Sequence, residues 1–205
     1  MQADIVDDGL DGERAALFAL LGRLLSEPPD EALLARLRAL RAAPGGDATP
    51  LGRALADLAA AADAAEPAAL EREHFRLFIG VGRGELMPYA SWYRTGFLHD
   101  RPLADLRAAM RRLGVERAPG VSDPEDHIAF LCETLAGLMD GRFAGVADGG
   151  MADEAGVFFA EHIRPWAPRF FSDTEKAEGA RFYRAVGALG RVAVEIEAAA
   201  ADLPA

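Results

Sequence analysis

The chain is poor in the residues that most often carry covalent or metal chemistry: one cysteine and four histidines in 205 residues. A lone thiol, Cys132, excludes an intramolecular disulfide and leaves no cysteine cluster for zinc or iron–sulfur. It falls within an apolar helical stripe, which reads as a buried, inert thiol. Bases are scarce too, 22 against 33 acids, so the formal net charge is −11. Such a surface repels a nucleic-acid backbone and steers basic partners in. All but one of the bases are Arg, Lys176 being the exception, and with the abundant Ala this reads as compositional bias. Long apolar runs are missing as well: none approaches the roughly 20 residues that cross a bilayer. Residues 1–8 are acidic where a secretory leader would be basic. The expectation is a cytoplasmic protein with no nucleic-acid partner and no membrane insertion.

What is present is helical periodicity. At 51% hydrophobic and 27% charged residues the composition suits one globular domain over 1–205. Leu17, Leu21, Leu24 and Leu25 form one stripe, stopped by Pro28 and Pro29; Leu33, Leu34, Leu37 and Leu40 form the next. Thr49-Pro50 and Glu66-Pro67 open two more. A glycine-rich segment follows, with Gly80, Gly82 and Gly84, then an apolar and aromatic run through Trp92, Tyr93 and Phe97. Leu103, Leu106, Met110 and Leu113 resume the helical spacing, as do Ile128, Leu131, Leu135 and Leu138 after an Asp123-Pro124 start. The aromatic stretch from Phe158 to Phe171 contains Pro165 and Pro168, which predict a bend or break. Residues 172–175 read as a capping box opening a last helix through Phe182 and Ile196. The sum is an all-α single-domain bundle of about eight helices, with hinges near 80–90 and 115–121.

Three patterns were candidates for chemistry. Glu71 and His74 share a helix face, as di-iron carboxylate bundles require, but the second Glu-x-x-His copy is missing. No metal site and no cofactor are therefore expected. The Gly80–Gly84 run follows a helix, not a strand, and lacks the Lys-Ser/Thr ending of a P-loop, so it reads as a turn. Asp126 and His127 are adjacent; on a helix they diverge by about 100° and cannot form a catalytic dyad. With Ile128, Leu131 and Leu135 facing the core, Asp126 would point away from it and His127 would lie at the stripe's edge. They are either helix-dipole and packing residues or contacts at a groove rim. Tyr89, Trp92, Tyr93 and Phe97 are likewise either core or an adaptable surface for an apolar peptide, together with Leu86, Met87 and Pro88.

Three stretches in order resemble the TorD/DmsD family of chaperones for molybdenum-cofactor oxidoreductases. The first is Glu73-His74-Phe75-Arg76-Leu77-Phe78-Ile79-Gly80 continuing to Pro88-Tyr89-Ala90-Ser91-Trp92-Tyr93. The second is Asp123-Pro124-Glu125-Asp126-His127-Ile128. The third is the aromatic stretch from Phe158 through His162, Ile163 and Trp166 to Phe171. The resemblance implies an all-α cytoplasmic chaperone that binds the twin-arginine signal peptide, and often the body, of a molybdopterin oxidoreductase precursor until its cofactor is inserted. It implies roles for Tyr89, Ser91, Tyr93, Asp126 and His127 and for the loop from Gly80. Guanine nucleotide and molybdopterin contacts are proposed within the family; no separate motif for either occurs here.

A twin-arginine signal joins a basic end to an apolar stretch, so its receptor should offer acids beside an apolar groove. The expectation is that Asp126 and Glu125 meet the arginines while Leu86, Met87, Trp92 and Tyr93 receive the apolar part. Exchange of helices at either hinge would produce a domain-swapped homodimer. The competing readings are a small helical hydrolase or nucleotide-handling enzyme using Asp126, His127 and Glu71, and a helical scaffold subunit.

Overall fold

The computed structural model describes residues 2–40, 48–117, 120, 123–143 and 151–202. The acidic loop around Asp148 lies outside them, as do positions 118, 119 and 121 of the expected hinge at 115–121. Among the described residues there are ten helices and no strand: α1 (Gln2–Ser26), α2 (Glu31–Ala39), α3 (Pro50–Asp63), α4 (Pro67–His74), α5 (Ala90–Thr95), α6 (Arg101–Leu113), α7 (Ile128–Met139), α8 (Met151–Phe158), α9 (Ala167–Lys176) and α10 (Phe182–Ala201). Two more than the periodicity suggests arise because α5 is too short to show a period and because the aromatic stretch breaks in two. Two π-helical turns, Phe75–Ile79 and Phe159–Ile163, extend α4 and α8. Pro165 follows the second of these, and Pro168 occupies the first turn of α9, where a missing N–H costs nothing.

The chain forms two compact units. One contains residues 1–25 and 89–166, the other 26–88 and 167–205. In the first, α7 is apolar nearly all round, with Ile128, Leu131, Cys132, Leu135 and Leu138 fully buried, which is the pattern of a central helix. Burial pushes the Cys132 thiol far above its ordinary pKa, so it carries no thiolate. In the second, α10 takes that place. It packs against α3, α4 and α9 and buries Phe182, Tyr183, Val186, Leu189 and Ala193. The Phe171 ring of α9 lies directly on Gly190 of α10, where any side-chain carbon would overlap it.

Start signals at α2 and α3 and the stop signal of α6 behave as their sequences dictate. Asp30 accepts the Leu33 N–H at 2.7 Å, Thr49 accepts that of Gly52 at 3.0 Å, and Gly114 ends α6 in the left-handed conformation. The capping box at 172–175 does not start a helix. α9 runs through it, because Phe170, Phe171 and Thr174 are buried together and the Thr174 hydroxyl donates to the Phe170 carbonyl. The last helix begins at Phe182 instead, where Glu73 of α4 supplies the cap. Its Oε1 accepts the N–H groups of Arg181 at 2.8 Å and Tyr183 at 2.9 Å, and Oε2 accepts that of Phe182 at 3.4 Å.

Candidate functional site

Two of the sequence stretches meet within the first unit, at the starts of α5 and α7. Tyr89 and His127 form an isolated antiparallel bridge, in which the Ala90 N–H donates to the Asp126 carbonyl at 3.0 Å. Their rings meet edge to face, 5.1 Å between centroids. His127 is the N-cap of α7, its Nδ1 accepting the Ala129 N–H at 3.1 Å, the place that Ser or Asp usually takes. The helix therefore starts at Ile128, not at Pro124. The reason is that 124–127 is spent on a turn, closed by the His127 N–H to the Pro124 carbonyl, which delivers His127 to Tyr89.

This placement changes the role of Asp126. It is wholly buried, and its Oδ2 accepts the Ser91 N–H at 2.8 Å, capping α5 from across the unit. Its other carboxylate oxygen and the Ser91 hydroxyl are buried without a hydrogen-bond partner. The expectation that Asp126 points outward at a rim is corrected: the residue precedes the helix, so the helical angle does not apply. Ser91 is also fully buried and Leu86 nearly so, and neither offers a surface.

Glu125 is buried beside Asp126 and already holds an arginine of this chain. The Arg107 guanidinium donates to its Oε2 from two nitrogens, at 3.0 and 2.7 Å. Burial alone would raise the Glu125 pKa, but the Arg107 hydrogen bond and the Arg107 and Arg117 charges outweigh it and hold the carboxyl below its ordinary value. Tyr89 moves the other way, to about 12, through burial, the charges of Asp123 and Asp126 and a hydrogen bond to Asp123. The phenol therefore stays protonated and keeps its O–H donor.

What remains accessible is aromatic. Tyr89, Trp92, Tyr93 and His127 are half-buried, and Phe97 is 71% exposed. Tyr93 stacks obliquely on Trp166, whose indole N–H is held by the His162 carbonyl at 2.7 Å. Of the other expected apolar contacts, Leu86 and the half-buried Met87 belong to the second unit.

The glycine segment is a close-packed turn. Gly80 has a positive φ of 63°, and its N–H closes the π turn on the Phe75 carbonyl at 2.7 Å. Gly84 lies against the backbone of Leu77 and Phe78, where a side chain would not fit, while Gly82 has open space around it. The Leu86 N–H returns to the Leu77 carbonyl at 2.8 Å.

Glu71 is exposed while His74 is buried, so the pair does not converge. Among the described residues, no group of three His, Cys, Asp or Glu side chains could hold a metal ion. The residue that sequence reasoning missed is Glu73. Its only signal was an acid adjacent to His74 on a predominantly apolar helix face.

Comparison with known proteins agrees with the motif resemblance. The chain is 32% identical to the Tat proofreading chaperone DmsD of Salmonella typhi over 141 residues, 68% of this chain and 65% of that one. It is 28% identical to the chaperone protein TorD of Vibrio cholerae over 117 residues, 55% of this chain and 53% of that one. The chain thus spans between half and two thirds of the length of these relatives. A crystal structure of an Archaeoglobus fulgidus protein assigned to redox enzyme maturation superposes with a TM-score of 0.56 at 21% identity, covering 89% of this chain and 93% of that one, which speaks for the fold. Residues 45–172, which contain both halves of the Tyr89–His127 site, match the family described as nitrate reductase delta subunit. The chain belongs to the nitrate reductase delta subunit family and is related within it to the DmsD and TorD chaperones.

Proposed function

We propose that this protein is a cytoplasmic, non-enzymatic chaperone that holds the twin-arginine signal peptide of a molybdopterin oxidoreductase precursor before cofactor insertion is complete. The observation that carries the reading is the meeting of Tyr89 and His127 at the paired starts of α5 and α7, with the half-buried Trp92 and Tyr93 following on α5. Aromatic side chains at a surface bury apolar area while keeping a polar edge for orientation, which suits a peptide that is both apolar and basic. Guanidinium groups stack on such rings. Asp126 and Glu125 serve this surface by holding it in place: Asp126 fixes the start of α5, and Glu125 neutralises Arg107 beside it. Names carried by the relatives point the same way.

Titration of the purified protein with a labelled client signal peptide tests the reading. Micromolar binding is expected, with Trp92→Ala weakening it by about tenfold, as loss of one aromatic contact of ~1.4 kcal/mol implies. Absence of binding, or equal affinity for a peptide whose paired arginines are replaced by glutamine, would sink it. A pull-down under expressing conditions should recover a precursor that still carries its signal. Exchange of the segment around residues 80–90 between two copies remains part of this proposal; a dimer fraction that rises with protein concentration in light scattering is its expected sign.

A further inference from the structure

We propose that a cavity in the second unit, lined by Arg72, Arg76, Arg181 and Arg184, is a second binding site, which takes an acidic stretch of another polypeptide. The cavity has a volume of about 590 Å³ and lies where α4 and its π turn face the start of α10. All four arginines are exposed. The Arg76 guanidinium donates to the Gly179 carbonyl, which fixes it at the cavity; any side-chain carbon at residue 179 would displace it. Among the described residues, the guanidinium groups of Arg72, Arg181 and Arg184 make neither an ion pair nor a hydrogen bond. Several arginines elsewhere are matched, Arg38 with Glu31, Arg107 with Glu125, Arg142 with Asp140, and Arg191 with Glu175 and Glu195; Arg36, Arg83, Arg94 and Arg111 are exposed without a partner among the described residues, but none of them lines this cavity.

Two carboxylates also line the cavity, and they offset only part of the charge of the four arginines. Glu73 is buried and committed to three backbone N–H groups, leaving Glu178 on the exposed side. Guanidinium groups that line one cavity repel one another, and an anion that joins them relieves the repulsion. In a chain of net charge −11 this is a local inversion of sign.

The chemistry favours carboxylates spaced along a chain over a compact phosphate. A phosphate cradle uses free amides at a helix N-terminus, and those of α10 are occupied by Glu73. Apart from its charged residues the lining is Ala69, Gly179 and Ala180, with no ring or large apolar side chain to hold an organic body. Long guanidinium arms on two separate elements suit bidentate pairing with several carboxylates along a chain. The site belongs to the second unit and the aromatic surface at 89–97 to the first, and its occupancy does not depend on that surface binding a signal peptide.

Fluorescence anisotropy on the intact protein tests the inference, using a short labelled peptide of alternating Glu and Gly and a counterpart with Gln in place of Glu. Saturable binding of the Glu peptide alone is expected, weakening with added salt. Arg72→Ala combined with Arg184→Ala should reduce affinity at least tenfold (~1.4 kcal/mol), while thermal stability is retained because neither side chain has a partner to lose. Gly179→Ala should weaken binding by displacing Arg76, and Arg101→Ala, an exposed arginine of the other unit, should bind as the unaltered protein does. Equal binding of the Gln peptide, or equal losses in Arg101→Ala and in the double variant, would overturn the proposal. So would displacement of the Glu peptide by inorganic pyrophosphate at concentrations below that peptide's own dissociation constant, which would mark a small-oxyanion site. Signal-peptide affinity measured on the same variants should not change, so that failure at this site and failure at the aromatic surface are read separately.

Discussion

Asp126 and Glu73 are buried carboxylates that accept backbone N–H groups of helices far from them in sequence. The residues that begin α5 and α10, Tyr89 and Arg181, provide no side-chain cap of their own. Each carboxylate therefore stands in for a missing Ser or Asp. Removing Glu73 leaves three amides without their acceptor in a buried place, a loss of about 2–3 kcal/mol that Glu73→Ala should show in chemical denaturation. At Asp126, charge and capping separate cleanly. Asp126→Asn keeps an amide oxygen for the Ser91 N–H and should retain most stability and signal-peptide affinity. Asp126→Ala should lose about 1–2 kcal/mol and weaken the peptide together with the fold of α5. Asn affinity as poor as that of Ala would show that the negative charge, and not the cap alone, supports the peptide surface.

Helices α9 and α10 pack closely, and two glycines of α10 set their contact, Gly187 against the α9 backbone at Phe171 and Glu175 and Gly190 beneath the Phe171 ring. With the Phe171 ring seated on Gly190, Gly190→Ala must push apart two helices that are otherwise close-packed. Overpacking of this kind costs about 1–3 kcal/mol, and a lowered denaturation midpoint with unchanged helix content is the expected reading. At this scale the sequence was largely legible. The stripes at 17–25, 103–113 and 128–138 all became helices, and Thr49, Pro50 and Pro67 marked starts, because capping and periodicity are local physics. Errors arose where a non-local partner intervened. The capping box at 172–175 was absorbed into α9 by the burial of Phe170, Phe171 and Thr174, and the start of α7 was set by the bridge to Tyr89.

For the molecule as a whole, pH acts through a few buried groups. His162 lies in the second π turn; burial lowers its pKa from the ordinary 6.5, and the Glu161 charge only partly opposes this. The unfolded chain then binds the extra proton more readily than the native one does. Stability from this group is complete above about pH 6.5 and declines as the pH falls through that value. Glu125, whose pKa is depressed, is stabilising above its ordinary 4.5 and fails only as the pH falls below that. Denaturation midpoints measured from pH 7.5 to 5 should therefore fall in the native protein and fall less in His162→Gln. Equal slopes would exclude His162 as the source.

The sequence by itself determined the all-α class, the lone cysteine, the acidic net charge and the family resemblance, because composition, periodicity and short ordered motifs are properties of the chain alone. It also brought forward Tyr89, Trp92, Tyr93 and His127. Only the tertiary structure decided that Asp126, Glu125, Ser91 and Leu86 face inward, since their direction depends on which backbone amides and which arginine another segment brings to them. Glu73 as the cap of α10 and the four arginines around one cavity were equally invisible beforehand. Residues 72–76 and 179–184 are about a hundred positions apart, and no local rule reports that the charges on one will face the other.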